Sequence, residues 1–159
     1  ACGVDIVGPS NLETLLATIP PYWAPMVSQF HERMGNPNTP EGLALLKERS
    51  PLYSADKIEK PLLIGQGAND PRVKQAESDQ IVAAMKASNI PVTYVLYPDE
   101  GHGFAKPNNN IAFNAVTENF LATCLGGRAE PIGDTVKNST AEIVEGAEYV
   151  QGLRDALGG

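Results

Sequence analysis

Apolar positions in this chain fall into short unbroken runs, separated by longer stretches in which they recur every three or four residues. Leu62 to Gly67 and Val92 to Tyr97 are continuous apolar runs bounded by turn residues, and each predicts a buried strand. Ala1 to Gly8, closed by Pro9, predicts another of the same kind, with Asp5 either paired or near its end. Between the second and third runs, Val73 to Ser88 carries Ala76, Ile81, Val82 and Met85 on one side, the pattern of an amphipathic helix.

The rest of the chain reads as helices and turns. Ser10, with Glu13 three residues on, makes a capping box for a helix through Leu12, Leu15, Leu16 and Ile19, which stops at Pro20-Pro21. An aromatic junction, Tyr22 to Met26, in which Tyr22 and Trp23 read either as core packing, the favoured reading, or as pocket lining, leads into a short helix over Val27 to Met34. After the turn cluster Gly35 to Pro40, Thr39 caps a helix that runs to about Arg49. Leu52 to Glu59 connects it to the second strand. Beyond the third strand, Asn108 or Asn109 starts a helix through about Leu125, closed by Gly126-Gly127. Residues 129–139 read as an extended linker, and Ala141 to Leu157 as a C-terminal docking helix with Ile143, Val144, Ala147, Val150, Leu153 and Leu157 on one stripe. Alternating strands and helices predict an α/β fold built on three parallel strands flanked by helices.

A length of 159 residues corresponds to about one domain. The net charge of −7 excludes an extended nucleic-acid surface and disfavours an anionic membrane. No apolar run reaches the roughly 18 residues that a membrane-spanning helix needs. No charged segment leads into an apolar one as in a signal peptide, and the compartment stays open. Cys2 and Cys124 lack metal or redox spacing and are expected as two buried free thiols. With His31 and His102 the only histidines, no multi-histidine metal site is expected, and His31 reads as a solvated helix residue.

The candidate chemistry lies after the second and third strands. Asp70 follows one and His102 the other. The gap of 32 residues (102 − 70) holds one helix and one strand, so a right-handed crossover sets the two turns side by side. A histidine acts as a general base when a partner fixes its tautomer and orientation, and Asp70 is the favoured partner. Asp99 and Glu100, in the histidine's own turn, are the alternatives. A turn histidine without a catalytic role is the remaining reading.

Two motifs sharpen this. Gly65 to Val73 (GQGANDPRV) and Tyr97 to Phe104 (YPDEGHGF) resemble the acid and histidine motifs of the prolyl oligopeptidase family of serine peptidases, which includes acylaminoacyl and dipeptidyl peptidases. Ala1 to Leu12 (ACGVDIVGPSNL) resembles the stretch just downstream of that family's nucleophile, and Ser50 to Ile64 (SPLYSADKIEKPLLI) the approach to its acid strand. The resemblance covers about Ala1 to Leu125. It implies an α/β-hydrolase fold, cleavage of peptide or acyl bonds without a cofactor, Asp70 as triad acid and His102 as triad base. It also aligns Tyr22 and Trp23 loosely with pocket aromatics that contact substrate.

The family's G-x-S-x-G-G elbow lies upstream of the segment matching Ala1. None of Ser10, Ser28, Ser50, Ser54, Ser78, Ser88 or Ser139 has that setting. The resemblance therefore implies a partial α/β-hydrolase: residues 1–127 as the C-terminal part of a catalytic domain, 128–159 as linker and helix, inactive alone. An open sheet edge would take either an upstream segment or a second copy of the chain. A dienelactone-hydrolase-like esterase and a non-catalytic oligomerising module are the alternatives.

Overall fold

The computed structural model describes residues 1–158. Three strands, β1 (Gly3–Ile6), β2 (Leu62–Gly67) and β3 (Val92–Tyr97), pair in parallel in that order. Six α-helices surround them: α1 (Leu12–Ala17), α2 (Val27–Arg33), α3 (Pro40–Arg49), α4 (Gln75–Ala87), α5 (Pro107–Leu125) and α6 (Leu153–Leu157). None is long and apolar enough to cross a membrane.

Alternation along β2 and β3 divides the core in two. Leu63, Val95 and Tyr97 face α5 and meet its Phe113, Val116 and Phe120. Ile64, Tyr94 and Leu96 face the other way, onto Ile81, Val82 and Met85 of α4 and Ala55 of a 3₁₀ turn at Pro51–Lys57. Burial on both faces explains why these strands read as continuous apolar runs. Each fully buried large side chain contributes roughly 1.5–3 kcal/mol.

The C-terminal stretch corrects the expected linker and helix. Glu142–Glu145 is a fourth strand, β4, antiparallel to β3 and covering its outer edge, and the sheet is therefore mixed. The expected long helix is broken at Gly146, which adopts φ 71° and brings the chain so close to β3 that a Cβ would strike the Val92 carbonyl. Thr93, buried in β3, donates its hydroxyl to the Gly146 carbonyl at 2.8 Å. Only Leu153–Leu157 is α-helical. Residues 128–158 are not a detached linker: Ile132, Val136, Val150 and Leu153 lie in the same core cluster as Leu63 and Phe113.

Three smaller expectations also change. Cys2 and Cys124 are joined in a disulfide rather than free, because the start of β1 meets the end of α5 with a Cα–Cα distance of 6.1 Å, within disulfide reach. Asn11, not Ser10, caps α1, accepting the Glu13 N–H at 3.0 Å, while the Ser10 hydroxyl turns to the Glu77 carbonyl at 2.5 Å. Helix α5 begins at Pro107, one or two residues earlier than its asparagines suggest. Thr39 caps α3 as expected, and Gly126 closes α5 in the left-handed conformation.

Candidate active site

The turns after β2 and β3 leave the carboxyl end of the parallel strands, the end at which such strands take ligands. They are joined main chain to main chain. Ala68 N–H donates to the Tyr97 carbonyl at 3.0 Å and Asn69 N–H to the Glu100 carbonyl at 2.9 Å; Asn69 Nδ2 donates to the Pro98 carbonyl at 2.7 Å. Gly67 permits this approach, since a Cβ there would run into the backbone of Glu100 and Gly101. Of the two glycines flanking His102, only Gly103 takes a positive φ, 109°.

Asp70 is buried and makes a local turn. Its Oδ1 accepts the N–H groups of Arg72 at 2.8 Å and Val73 at 2.9 Å. Its Oδ2 lies 2.8 Å from His102 Nδ1. The Asp70 side chain is 0% exposed and that of His102 34%, so the carboxylate is shielded while the ring reaches the surface. With Nδ1 donating to Asp70, Nε2 is left to accept a proton, and no hydrogen bond within the described residues occupies it. A geometry that fixes one imidazole nitrogen and frees the other is what general-base chemistry needs.

Sequence reasoning missed the support behind the acid turn. Gln66, fully buried in β2, donates from Nε2 to the carbonyls of Gly67 and Val73, both at 3.0 Å, and accepts the Ser78 hydroxyl at 2.9 Å. It ties both ends of the Asp70 turn to the start of α4. A glutamine inside an apolar strand run was the available signal, since buried amides need partners.

Asp99 and Glu100 are not partners of His102. The Glu100 carboxylate turns to backbone N–H groups beyond the histidine and to Asn109. Asp99 lies at the surface and is bonded by Lys106 Nζ, the Thr140 hydroxyl and Asn109 Nδ2. The Lys106 hydrogen bond, then the Thr140 one, pull the Asp99 carboxyl from its ordinary 3.8 down to about 2. A depressed folded-state value favours the deprotonated form. That contribution is complete above about pH 4 and is lost as pH falls through the folded-state value. An NMR titration of Asp99 is expected to give a midpoint of about 2, moving back toward 3.8 in K106A. A midpoint unchanged by K106A would show that Lys106 is not its partner in solution.

At the end of β1, Val7 takes φ 52°, a costly conformation for a β-branched residue, on the same side of the sheet as both turns. Burial pushes the neighbouring Asp5 carboxyl up, against a lowering hydrogen bond from the Gly8 backbone. Tyr22 and Trp23 lie apart from these turns in sequence, on a 3₁₀ turn at Pro21–Met26. Trp23 packs between Tyr22 and Phe30, at ring distances of 6.2 and 5.7 Å, and no hydrogen bond within the described residues links this turn to Asp70 or His102. A cavity of about 600 Å³ beside Asn119, Ile132 and Lys137 is lined by neither Asp70 nor His102. The described residues contain no group of three or more His, Cys, Asp or Glu side chains placed to hold a metal ion.

Parallel strands with an acid and a histidine on consecutive strand-end turns are the arrangement of an α/β-hydrolase, of which this chain holds a partial domain. More narrowly, the chain belongs to the prolyl oligopeptidase family, whose sequence model matches residues 22–128. It is 70% identical over 159 residues to dipeptidyl aminopeptidase BIII of Pseudoxanthomonas mexicana, covering 100% of this chain and 23% of that protein. It is 53% identical over 152 residues to dipeptidyl peptidase family member 6 of Caenorhabditis elegans, covering 92% of this chain and 20% of that one. A solved puromycin-hydrolyzing peptidase of Mycobacterium tuberculosis superposes with a TM-score of 0.71 at 25% identity, over 80% of this chain and 19% of that one. The chain thus spans about a fifth of the length of these two curated relatives.

Proposed function

We propose that this chain supplies the acid and the base of a serine-peptidase triad that releases dipeptides from the N-terminus of peptide substrates. In this reading Asp70 holds His102 through Nδ1, and Nε2 takes the proton of a serine hydroxyl as that oxygen attacks the scissile carbonyl. The tetrahedral intermediate collapses as His102 returns the proton to the leaving amine, and water then hydrolyses the acyl-enzyme by the same exchange. The serine comes from another part of the whole enzyme, because none of the seven serines here sits in an elbow sequence. Tyr22 and Trp23 are assigned to substrate contact by resemblance alone.

The observation that carries the reading is the 2.8 Å contact between buried Asp70 and half-exposed His102 on adjacent turns. Dipeptide release is inferred from the names of the two relatives. The test is a graft of these 159 residues in place of the matching segment of the Pseudoxanthomonas protein. The graft should release the amine from dipeptidyl anilides and be labelled on serine by a fluorophosphonate, and its H102A form should do neither at a comparable rate. An H102A graft as active as its parent would overturn the reading. The isolated chain should take up no label, and an adduct on one of its own serines would move the nucleophile into this segment.

The outer edge of β1 has no strand partner among the described residues, and Ile6 on it is 49% exposed. We infer that this edge receives a strand, from the rest of the whole enzyme or, in the isolated chain, from a second copy. Light scattering of the isolated chain at micromolar concentration is expected to show dimers or larger species. A stable monomer would refute the association.

A further inference from the structure

His102 occupies a stretch that is poorly supported by its own backbone. Within residues 101–104 the only main-chain bond is internal, from Gly103 N–H to the Gly101 carbonyl at 3.0 Å. From outside there is a long contact of 3.4 Å from Asn110 Nδ2 to the Phe104 carbonyl. The histidine nevertheless has to meet Asp70 in one orientation. Phe104 packs against Tyr97 and Phe113 at ring distances of 4.6 and 4.8 Å, and the hydrogen bonds that hold the two ends of the stretch come from a single residue, Glu100, which is 4% exposed.

On the upstream side, the Glu100 carbonyl takes Asn69 N–H at 2.9 Å from the acid turn. On the downstream side, its carboxylate takes three donors: Ala105 N–H at 3.1 Å, Lys106 N–H at 2.9 Å and Asn109 Nδ2 at 2.9 Å. The side chain thus closes a ring around the histidine's own segment. Asn109, 1% exposed, carries the connection on: its Oδ1 accepts Thr140 N–H at 3.0 Å and lies 3.1 Å from the Thr140 hydroxyl. That hydroxyl also reaches Asp99. Thr140 lies two residues before β4, beyond the residues matched by the family model.

We infer that Glu100 is a positioning residue for His102, and that Asn109 and Thr140 extend this support to the C-terminal segment. The inference rests on the reading of His102 as a base. Three donors converging on two oxygens call for a carboxylate. A glutamine would turn its NH₂ toward Ala105 N–H or toward the Lys106 and Asn109 donors, and would keep only part of the set. Ala105 and Lys106 also precede the first turn of α5, so a carboxylate here caps that helix as well. A cap alone would affect stability without changing the histidine.

The readout that separates the two is the His102 Nδ1–H proton resonance of the 159-residue chain, labelled with ¹⁵N-histidine. With only two histidines present, H31Q assigns it. In E100A the resonance should be lost at temperatures where circular dichroism shows the fold intact, and E100Q should recover part of its intensity. T140V, at an exposed position, leaves the fold in place and should speed exchange of the same proton with water several-fold. An unchanged resonance in a folded E100A or E100Q chain would reduce Glu100 to a helix cap and overturn its positioning role. Unchanged exchange in T140V would overturn the extension to the C-terminal segment. The graft assay is independent: an active H102A graft refutes the peptidase reading whatever Glu100 does to the ring.

Discussion

D70N in the grafted enzyme is expected to lower kcat about 10,000-fold, with KM little changed and the fold intact. The reason is the tautomer. Asp70 offers one oxygen to the N–H groups of Arg72 and Val73 and the other to His102 Nδ1. An asparagine must keep its carbonyl oxygen on the two backbone donors, because turning it over would set NH₂ against both. Its NH₂ then faces Nδ1, which must accept. The ring is driven to carry its proton on Nε2, the nitrogen that receives one from serine in the proposed mechanism. Since the turn keeps both backbone bonds, the loss should come without a large shift in thermal midpoint. Steady-state kinetics with a circular dichroism melt check both halves. A D70N graft within about tenfold of its parent would mean that another group orients the imidazole.

The Asp70–His102 pair is the part of this molecule most legible in the sequence. Parallel strands put their carboxyl ends together, so an acid after one strand and a histidine after the next are brought close by topology before any side-chain detail is known. Strands β2 and β3 were legible because burial on both faces leaves unbroken apolar runs, whereas β1, expected as another buried strand, is a half-buried edge strand. The C-terminal strand was not. Glu142 to Glu145 is too short for a period to be read, and its apolar residues also fit a helical stripe with Val150 and Leu153. What decides its state is the free edge of β3, a partner almost fifty residues away in sequence. The disulfide was hidden for a similar reason: residues 122 apart pair only because β1 and α5 happen to meet.

Supports of the site were the least legible of all. Gln66, Glu100 and Glu77 look in the sequence like ordinary polar residues of a strand, a turn and a helix. Each is buried because the chain brings backbone donors or acceptors to it from elsewhere. A polar residue's burial depends on its partners, and partners distant in sequence cannot be read from periodicity.

Glu77 carries the largest expected effect on stability. In the first turn of α4, it is 1% exposed. Its Oε2 accepts Ser10 N–H at 3.0 Å and Asn11 N–H at 2.8 Å, and its Oε1 accepts the Thr14 hydroxyl. These donors belong to the turn after β1 and the start of α1, so one carboxylate locks that turn to the helix that follows the Asp70 turn. E77A would strand two backbone N–H groups, while the Thr14 hydroxyl would keep the Asn11 carbonyl, 3.1 Å away, as an acceptor. Each unpaired buried group costs about 1–3 kcal/mol, and partial relaxation brings the expected total to about 3–5 kcal/mol. E77Q, which keeps one acceptor oxygen, should cost about half as much. Urea unfolding followed through circular dichroism measures both. A loss below about 1 kcal/mol for E77A would mean that water replaces the carboxylate at little cost. A loss of the expected size should also reach the chemistry. The acid turn is held from behind by Gln66 and Ser78, and Ser78 is the next residue along α4 from Glu77. Loosening the start of α4 should therefore broaden the His102 Nδ1–H resonance in E77A before the molecule unfolds.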